Sequence, residues 1–417
     1  MGNPLLSAGV VSVSELAESR SVREALQFLT REKQWINEQH LEVCRIPAPT
    51  FLESRRAEWM AEQFRSYGCE VQLDRAGNVL AFLDSDARGP YVAVTAHLDT
   101  VLAPRNRDDV AIASDGRFLG PGVSDNGAGL TALLAIARAL KCAPPLDGLC
   151  SRLVLIANVG EEGEGNLSGM RHLCRPSGFA RRAATFIVLD GAGSDHITTQ
   201  ALGSRRFEVI FSGPGGHSWS DYGTGNPVHA LSRAVAEFTE VRLNGHPRSS
   251  VNVGILEGGT SINAIPSQAR AKVDIRSESN QKMDELVAIL NAAVEHAQAS
   301  ENERAIAGRV TGRLREIGAR PAGSLPEGAA VIDYLRAVDA HLGIRSRLDC
   351  ASTDANIPLS LGIPAVSIGA GGQGGGAHTP QEWFLPDRRD LALKRILLTA
   401  VLLLRDPVLA EGFARRS

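Results

Sequence analysis

The sequence has no apolar run near the roughly 18–20 residues that a membrane-spanning helix requires, so it predicts no membrane segment. Its formal net charge is only −3 over 417 residues, which gives no reason to expect nucleic acid or an anionic membrane as a partner. Residues 1–20 lack a basic start followed by an apolar core, so we expect a docking arm or a frayed tail there and not a secretory signal. The hydrophobic content of 43% and the length are those of a globular protein with room for two domains.

Other absences exclude particular chemistries. No Gly-x-Ser-x-Gly motif is present, which argues against a serine hydrolase. The glycine-rich segment Gly369–Gly376 lacks the Gly-Lys-Ser/Thr ending of a phosphate-binding loop, so we expect it to bend around His378 or to let backbone approach a substrate. No cysteine belongs to a Cys-x-x-Cys pair, and in a chain this long we expect reduced thiols and a cytoplasmic protein. The cysteines are Cys44, Cys69, Cys142, Cys150, Cys174 and Cys350.

Strand-like and helix-like patterns alternate up to about residue 190, which predicts an α/β fold with a mostly parallel, twisted sheet covered by helices. The predicted helices of this part are Val22–Leu41, Glu53–Tyr67 and Leu130–Leu140. The predicted strands are Glu70–Leu73, Asn78–Leu83, Tyr91–Ala96, Leu153–Val159 and Thr185–Leu189. After residue 318 the same domain is predicted to resume, with elements at Ala329–Leu342 (helix), Ala365–Ile368 (strand) and Leu391–Leu404 (helix).

Between these parts the order of elements changes to β-α-β-β-α-β, the split βαβ sandwich. Its predicted elements are Arg205–Phe211, Asn226–Glu240, Ser250–Leu256, Ala269–Arg276, Lys282–Ala299 and Val310–Ile317. We therefore expect residues 201–317 to form an α+β domain inserted into a catalytic domain made of residues 1–200 and 318–417. The Pro- and Gly-rich segment Ala319–Pro326 marks the return to the first domain.

Histidines and carboxylates follow the predicted strands of the catalytic domain, and one further aspartate precedes a predicted helix. They are His97, Asp99, Asp125, Glu161, Glu162, Asp190 and His378. Parallel strands share one carboxyl edge, where ligand sites gather, so these residues can converge although they span about 280 positions. Imidazole and carboxylate groups suit zinc and similar divalent ions. There are more potential ligands than one structural zinc needs, so the pattern predicts two metal ions and a hydrolytic site.

The local context of each residue supports this interpretation, although each alone is typical of a surface turn or a helix cap. His97 and Asp99 are two positions apart at a strand end, so both can face one side, with the carboxylate orienting the imidazole. Glu161 and Glu162 are adjacent like charges that are unfavourable without a cation, so one can bind metal while the other meets the attacking water. The prediction of a metal site rests on all these residues together, because each follows a predicted strand or precedes a predicted helix.

With these residues placed, nearly the whole chain resembles a zinc exopeptidase family. That family includes peptidase T, carboxypeptidase G, acetylornithine deacetylase and succinyl-diaminopimelate desuccinylase. The motifs that carry the resemblance are Ile-Pro-Ala-Pro at 46–49, His-Leu-Asp-Thr, Gly-Val-Ser-Asp-Asn-Gly-Ala-Gly, Gly-Glu-Glu-Gly, Gly-Gly-His-Ser and His-Thr-Pro at 378–380. Their order and spacing together are specific.

The resemblance implies a role for each residue of the catalytic domain. One zinc ion would be held by His97 and Asp190 and the other by Glu162 and His378, with Asp125 bridging them and a cis peptide after it. Co²⁺ or Mn²⁺ could take the place of zinc. The catalytic residues in this domain would be Glu161, as general base, and Asp99, as the partner of His97.

For the inserted domain, the resemblance implies a lid that also pairs two subunits into a homodimer. His217 would reach across the dimer to stabilise the oxyanion. Asn263, in Ser-Ile-Asn-Ala-Ile-Pro, and Arg276, in Val-Asp-Ile-Arg, would bind substrate, and the guanidinium of Arg276 suits a terminal carboxylate.

The identity of one ligand separates branches of the family. The ligand at position 190 is aspartate, and peptidase T and related dipeptidases resemble this chain in having aspartate there. Carboxypeptidase G and the deacylases usually have glutamate at that position. We therefore expect small peptides as substrates, with hydrolysis of N-acyl amino acids as the alternative. A binding protein on an inactive scaffold is a remote third reading, since it predicts missing ligands and none is missing.

Overall fold

The structure of the protein is a computed structural model that describes residues 12–83 and 87–414. Part of the predicted N-terminal arm, residues 1–11, lies outside the described residues. The chain forms two compact units, a first unit made of the chain up to Gln200 and from Ser324 onward, and a second unit, Ala201–Gly323. None of the helices in the described ranges is both long and apolar enough to cross a membrane.

Helices and strands alternate through most of the described chain. The helices are α1 (Val13–Glu18), α2 (Arg20–Arg31), α3 (Lys33–Cys44), α4 (Ser54–Ser66), α5 (Gly127–Cys142), α6 (Ser168–Cys174), α7 (Pro227–Thr239), α8 (Asn280–Arg304), α9 (Ala330–Leu342), α10 (Asn356–Ser360), α11 (Arg389–Leu404) and α12 (Pro407–Ala414). The strands up to the inserted segment are β1 (Glu70–Leu73), β2 (Val79–Phe82), β3 (Tyr91–His97), β4 (Ala111–Ile112), β5 (Phe118–Leu119), β6 (Arg152–Asn158), β7 (Ala183–Leu189) and β8 (His196–Ala201). The remaining strands are β9 (Gly203–Ser212), β10 (Gly216–His217), β11 (Ser249–Gly258), β12 (Ala264–Ile265), β13 (Gln268–Ser277), β14 (Thr311–Arg320), β15 (Gly323–Ser324), β16 (Arg347–Ala351), β17 (Ala365–Ile368), β18 (Gln373–Gly375) and β19 (Trp383–Leu385).

The first unit is built on a mixed sheet with the strand order β1-β2-β6-β3-β7-β17-β8-β15, and β16 pairs with β8. Its centre, β6-β3-β7-β17, is parallel, whereas β1, β2 and β8 run antiparallel to their neighbours. The predicted α/β class is confirmed, and the sheet is more mixed than predicted because both sides of the parallel centre carry antiparallel strands. The strands β3 and β7 are buried along their whole length, as expected for a sheet with helices on its faces.

Helices α5 and α11 pack on the parallel centre of this sheet, and α2 and α3 pack on α5. α5 begins at Gly127, where the Asn126 side chain caps it by accepting the Gly129 N–H at 3.1 Å. The single predicted helix Val22–Leu41 is wrong, since Glu32 leaves the helical conformation between α2 and α3. The buried apolar positions of α2 recur every three to four residues, and the next ones would be residues 32 and 33. Both are polar, so no buried side chain stabilises a continuous helix at this point.

The second unit is an antiparallel sheet with the order β11-β13-β9-β14. α7 and α8 pack on the face that carries Phe207, Val209 and Phe211 of β9. Its main elements follow the predicted order β-α-β-β-α-β. A short pair, β10 with β12, was not predicted, and it places His217 opposite Ala264.

Candidate metal centre

Most of the predicted ligand residues of the first unit lie where strands of the parallel centre end. His97 is the last residue of β3, and Asp190 directly follows β7. Glu161 and Glu162 follow the end of β6, which pairs with β3. Asp125 lies at the start of α5, and the peptide bond after it is cis. The carboxyl edge of the sheet therefore collects them, as the sequence predicts.

The Asp125 carboxylate lies between two histidines and presents a different oxygen to each. Its Oδ1 is 2.9 Å from His97 Nε2, and its Oδ2 is 3.1 Å from His378 Nε2. Asp190 Oδ1 is 4.0 Å from the same nitrogen of His97, and Glu162 Oε1 is 2.8 Å from that of His378. The structure thus brings all five candidate ligands together, divided into two sets that share Asp125.

The electrostatics of this cluster are dominated by buried, crowded carboxylates. Burial raises the pKa of Glu162 to about 7, and the charges of Asp125 and Glu161 act in the same direction. Burial and then Asp125 raise the pKa of Asp190 well above its usual range. A hydrogen bond to Asp125 raises the pKa of the His378 imidazole to about 9. Such a concentration of negative charge suits divalent cations.

The donor set also fits a metal by its chemistry. Ligand atoms of His97, Asp125 and Glu162 all lie within 4.8 Å of one another. His97 Nδ1 lies 2.9 Å from the backbone carbonyl of Asp99, which can only accept, so Nδ1 carries the proton and donates it. With Nδ1 engaged in this way, Nε2, which lies next to Asp125, is the ring nitrogen that would bind a metal ion.

Asp99 supports both halves of the centre without pointing into it. This fully buried carboxylate accepts the backbone N–H groups of Glu161 and Glu162, each at 2.9 Å. It also accepts the Thr50 hydroxyl at 2.9 Å and lies 3.5 Å from His97 Nδ1. One side chain thus fixes the loop that carries the two glutamates and the orientation of the His97 ring.

Glu382 supports the Asp125 segment and was not recognised from the sequence. Its buried carboxylate accepts the backbone N–H groups of Gly122, Ser124 and Asp125 at 2.8, 2.8 and 2.9 Å. The Asn126 side chain continues this support by donating to the Leu189 carbonyl at 2.8 Å, next to Asp190. The only signal in the sequence was the position of Glu382, four residues after His378.

Asp354 is a second buried carboxylate that the sequence analysis missed. It follows β16, is fully buried, and accepts the Asn158 side-chain N–H at 2.6 Å. Burial raises its pKa to about 7, and the negative charge of Glu161 acts in the same direction. It therefore belongs to the electrostatic surroundings of the centre.

The glycine-rich segment packs its backbone against the protein near the centre. A Cβ atom at Gly374 would lie 2.2 Å from Ser124 Oγ, next to Asp125. Gly372 adopts a φ of 70°, and a Cβ there would lie 2.5 Å from the Phe384 ring. The glycines are thus required for close approach to the Asp125 segment and for the turn before His378.

The remaining predicted site residues belong to the second unit. His217 Nδ1 accepts the backbone N–H groups of Trp219 and Ser220 at 3.2 and 3.3 Å, so the ring proton is on Nε2 and available as a donor. The loop is tied to Asn263, whose carbonyl accepts the Ser218 N–H at 3.0 Å. Arg276 lies on β13 with its Nε 2.7 Å from Asp274 Oδ2.

Both units match models of peptidase families. Residues 200–302 match the M20 peptidase dimerisation domain, and residues 78–221 match peptidase family M28. The second match contains His97, Asp125, Glu161, Glu162 and Asp190. The motifs, the fold and these matches agree with a resemblance to the zinc exopeptidase family. The protein is accordingly an enzyme of the metallopeptidase and amidohydrolase class.

Several curated proteins are similar in sequence. The uncharacterized protein YqjE of Bacillus subtilis is 25% identical over 80% of this chain and 89% of its own length. The cytosol non-specific dipeptidase of Escherichia coli is 26% identical over 60% of this chain and 54% of its own length. A succinyl-diaminopimelate desuccinylase of Legionella pneumophila (strain Corby) is 24% identical over 61% of this chain and 72% of its own length.

Solved structures share the fold at lower sequence identity. A tripeptidase from Staphylococcus aureus superposes with a TM-score of 0.75 at 19% identity, covering 90% of this chain and 99% of that one. The aminopeptidase PepT from Bacillus cereus gives 0.71 at 20% identity, covering 89% and 98%. These two structures therefore share the fold of both units of this chain.

Proposed function

We propose that the protein is a two-metal hydrolase that cleaves the amide bond of small peptides, as a peptidase T-like exopeptidase. The observation that carries the proposal is the Asp125 carboxylate, which presents one oxygen to His97 and the other to His378. A single carboxylate placed in this way can bridge two ions. His97 and Asp190 would hold one ion and Glu162 and His378 the other, with zinc as the ion that fits these ligands.

Glu161 is the proposed general base. Bound metal ions would lower the pKa of water and polarise the substrate carbonyl. Glu161 takes the proton of the attacking water and returns it to the leaving amine. The backbone N–H of Glu161 is held by buried Asp99, which fixes the segment that carries this glutamate.

His217 is the proposed oxyanion donor. Since its Nδ1 accepts two backbone N–H groups, its Nε2–H can donate to a developing negative charge without a change of tautomer. Arg276 is proposed to bind the terminal carboxylate of the substrate, and Asn263 to bind the substrate near the scissile bond. We infer that His217 serves the site of a neighbouring subunit in a homodimer formed by the second unit.

Two observations favour peptides as substrates. Asp190 is an aspartate, as in peptidase T-like members, and the dipeptidase of Escherichia coli is among the relatives. The name of that relative also supports the proposed cytoplasmic location. The desuccinylase relatives favour the second candidate, N-acyl-amino-acid hydrolysis, because the same centre can cleave either amide.

A substrate panel tests the proposal and separates the two candidates. Zinc-loaded protein is incubated with di- and tripeptides and, in parallel, with N-acetyl and N-succinyl amino acids, and amine release is measured. We expect faster hydrolysis of the peptides. Preferential hydrolysis of the N-acyl compounds would establish the second candidate instead, and hydrolysis of neither class by metal-loaded protein would refute both.

The proposed role of His217 across a dimer predicts complementation. A His217→Ala chain and a Glu161→Gln chain are each expected to be inactive alone. A mixed dimer would hold one site with both changes and one with neither, so about one intact site per mixed dimer should regain activity. The measurement is the specific activity of the mixture after subunit exchange.

A matched control for this experiment is His246→Ala, which changes a histidine of the second unit whose side chain is 93% exposed. That variant should be active alone and should not alter complementation. If subunit exchange is demonstrated and the mixture of inactive chains stays inactive, His217 acts within its own chain or has no catalytic role.

A further inference from the structure

Arg276 has a carboxylate neighbour that occupies one defined edge of its guanidinium group. Asp274 and Arg276 are two positions apart on β13, so their side chains leave the sheet on the same face. Asp274 Oδ2 lies 2.7 Å from Arg276 Nε. The edge of the guanidinium that includes Nε is therefore already bound to Asp274.

The same carboxylate also contacts a second arginine across the strands. Arg206 of β9 is the antiparallel partner of Asp274, and its Nε lies 3.4 Å from Asp274 Oδ1. Since β13 and β9 are the two inner strands of the four-stranded sheet, Asp274 has a neighbouring strand on either side. Cross-strand and i,i+2 neighbours thus hold this carboxylate from two directions, which restricts its rotamers.

The geometry leaves one complete edge of the Arg276 guanidinium for a ligand. An arginine can offer a carboxylate two parallel N–H groups either from its Nε side or from its terminal Nη1 and Nη2 atoms. Among the described residues, the contact of Arg276 Nε with Asp274 is the one ion pair or hydrogen bond of this guanidinium. The terminal Nη1–Nη2 edge is therefore the one available for bidentate binding.

Charge supports the same conclusion. The single carboxylate of Asp274 is shared by the guanidinium groups of Arg206 and Arg276, so it does not use the full hydrogen-bonding capacity of Arg276. Two isolated arginines would repel each other, and the carboxylate between them allows both to lie on one face of the sheet. The side chains are 28–37% exposed, so the group remains accessible from solvent.

We propose that Asp274 is a positioning residue that fixes the guanidinium of Arg276 so that its terminal edge binds the C-terminal carboxylate of the substrate. This inference rests on the proposed carboxylate-binding role of Arg276. It assigns to Asp274 a part in substrate specificity, acting through Arg276 and not on the reacting atoms. Substrates with a free terminal carboxylate should depend on Asp274, and those without one should not.

The test compares a peptide with its C-terminal amide, or an N-acyl amino acid with its amide if the panel favours that class. For Asp274→Ala we expect KM for the free acid to rise about tenfold, because an unrestrained guanidinium binds less well. KM for the amide and kcat for both compounds should be unchanged. Asp274→Asn retains an oxygen that can accept the Nε–H, so its KM for the acid should rise less.

Arg276→Ala distinguishes failure of this inference from failure of the proposed function. It should raise KM for the acid by more than Asp274→Ala does, and combining the two changes should add nothing further. If Arg276→Ala does not discriminate acid from amide, the carboxylate role itself is refuted. If Arg276→Ala discriminates and Asp274→Ala lowers KM for the acid, or raises KM equally for both compounds, Asp274 is not a positioning residue.

Discussion

Replacing Glu161 by Gln should abolish nearly all turnover while both metal ions stay bound. The change removes a base and keeps the size of the side chain, and Asp99 would still hold the backbone N–H of residue 161. Since general bases typically contribute 10²–10⁴-fold, we expect kcat to fall by about 10³-fold. The measurement is kcat on the preferred substrate of the panel, together with metal content by elemental analysis.

The adjacent residue supplies a matched control. Glu162 Oε1 faces His378 Nε2 at 2.8 Å, and a carboxylate oxygen of Glu162 lies within 4.8 Å of ligand atoms of His97 and Asp125. Glu162→Gln should therefore weaken metal binding, and part of its activity should return at high zinc concentration. If Glu161→Gln loses metal and Glu162→Gln retains it with no activity, the assignment within this pair is reversed.

Replacing Asp125 by Ala should remove both ions. Each oxygen of this carboxylate faces a different histidine, so its loss takes one ligand from both halves of the centre. By contrast, Asp190→Asn should weaken mainly the ion beside His97, since Asp190 lies 4.0 Å from that ring. Metal titration of the two variants measures the difference.

A particular pattern of metal content would contradict this account of Asp125. If Asp125→Ala retains one ion with unchanged affinity, the carboxylate belongs to a single site and does not bridge. Far-ultraviolet circular dichroism of the metal-free variant is the control for folding. The three backbone N–H groups held by Glu382 should keep the segment in place, because the side chain at position 125 is not part of that support.

The convergence of the ligand residues could be predicted because it depends on the backbone. Apolar runs before His97, Glu161 and Asp190 identify strands, and parallel strands end at one edge of the sheet. The inserted unit was equally predictable, since its strands alternate clearly and its helices are long. Helix α8, for example, spans 25 residues with regularly spaced buried positions.

The residues that support the centre could not be predicted in the same way. Glu382 accepts backbone N–H groups from a distant segment, and Asp99, predicted only as the partner of His97, does the same for the Glu161 segment. A sequence does not display which backbone groups need a partner. Asp354 is isolated in sequence and acquires its role only by burial beside Glu161. Their functions follow from tertiary contacts, which a single sequence does not contain.

Short elements were missed for a related reason. Strands β4, β5, β18 and β19 form a small antiparallel sheet of two- and three-residue strands. Such strands are too short to show an alternating pattern of apolar and polar residues. The break at Glu32 likewise involves a single residue between two helices with good apolar periodicity.

The central claim is that the carboxyl edge of the first unit holds two metal ions that share Asp125. The most direct measurement is the metal content of the wild-type protein, purified without chelator and then reloaded with zinc and freed of excess. The account predicts about two ions per chain, with affinity for both lost in Asp125→Ala. A content near zero after reloading, or one that stays at a single ion per chain at saturating zinc, would contradict it.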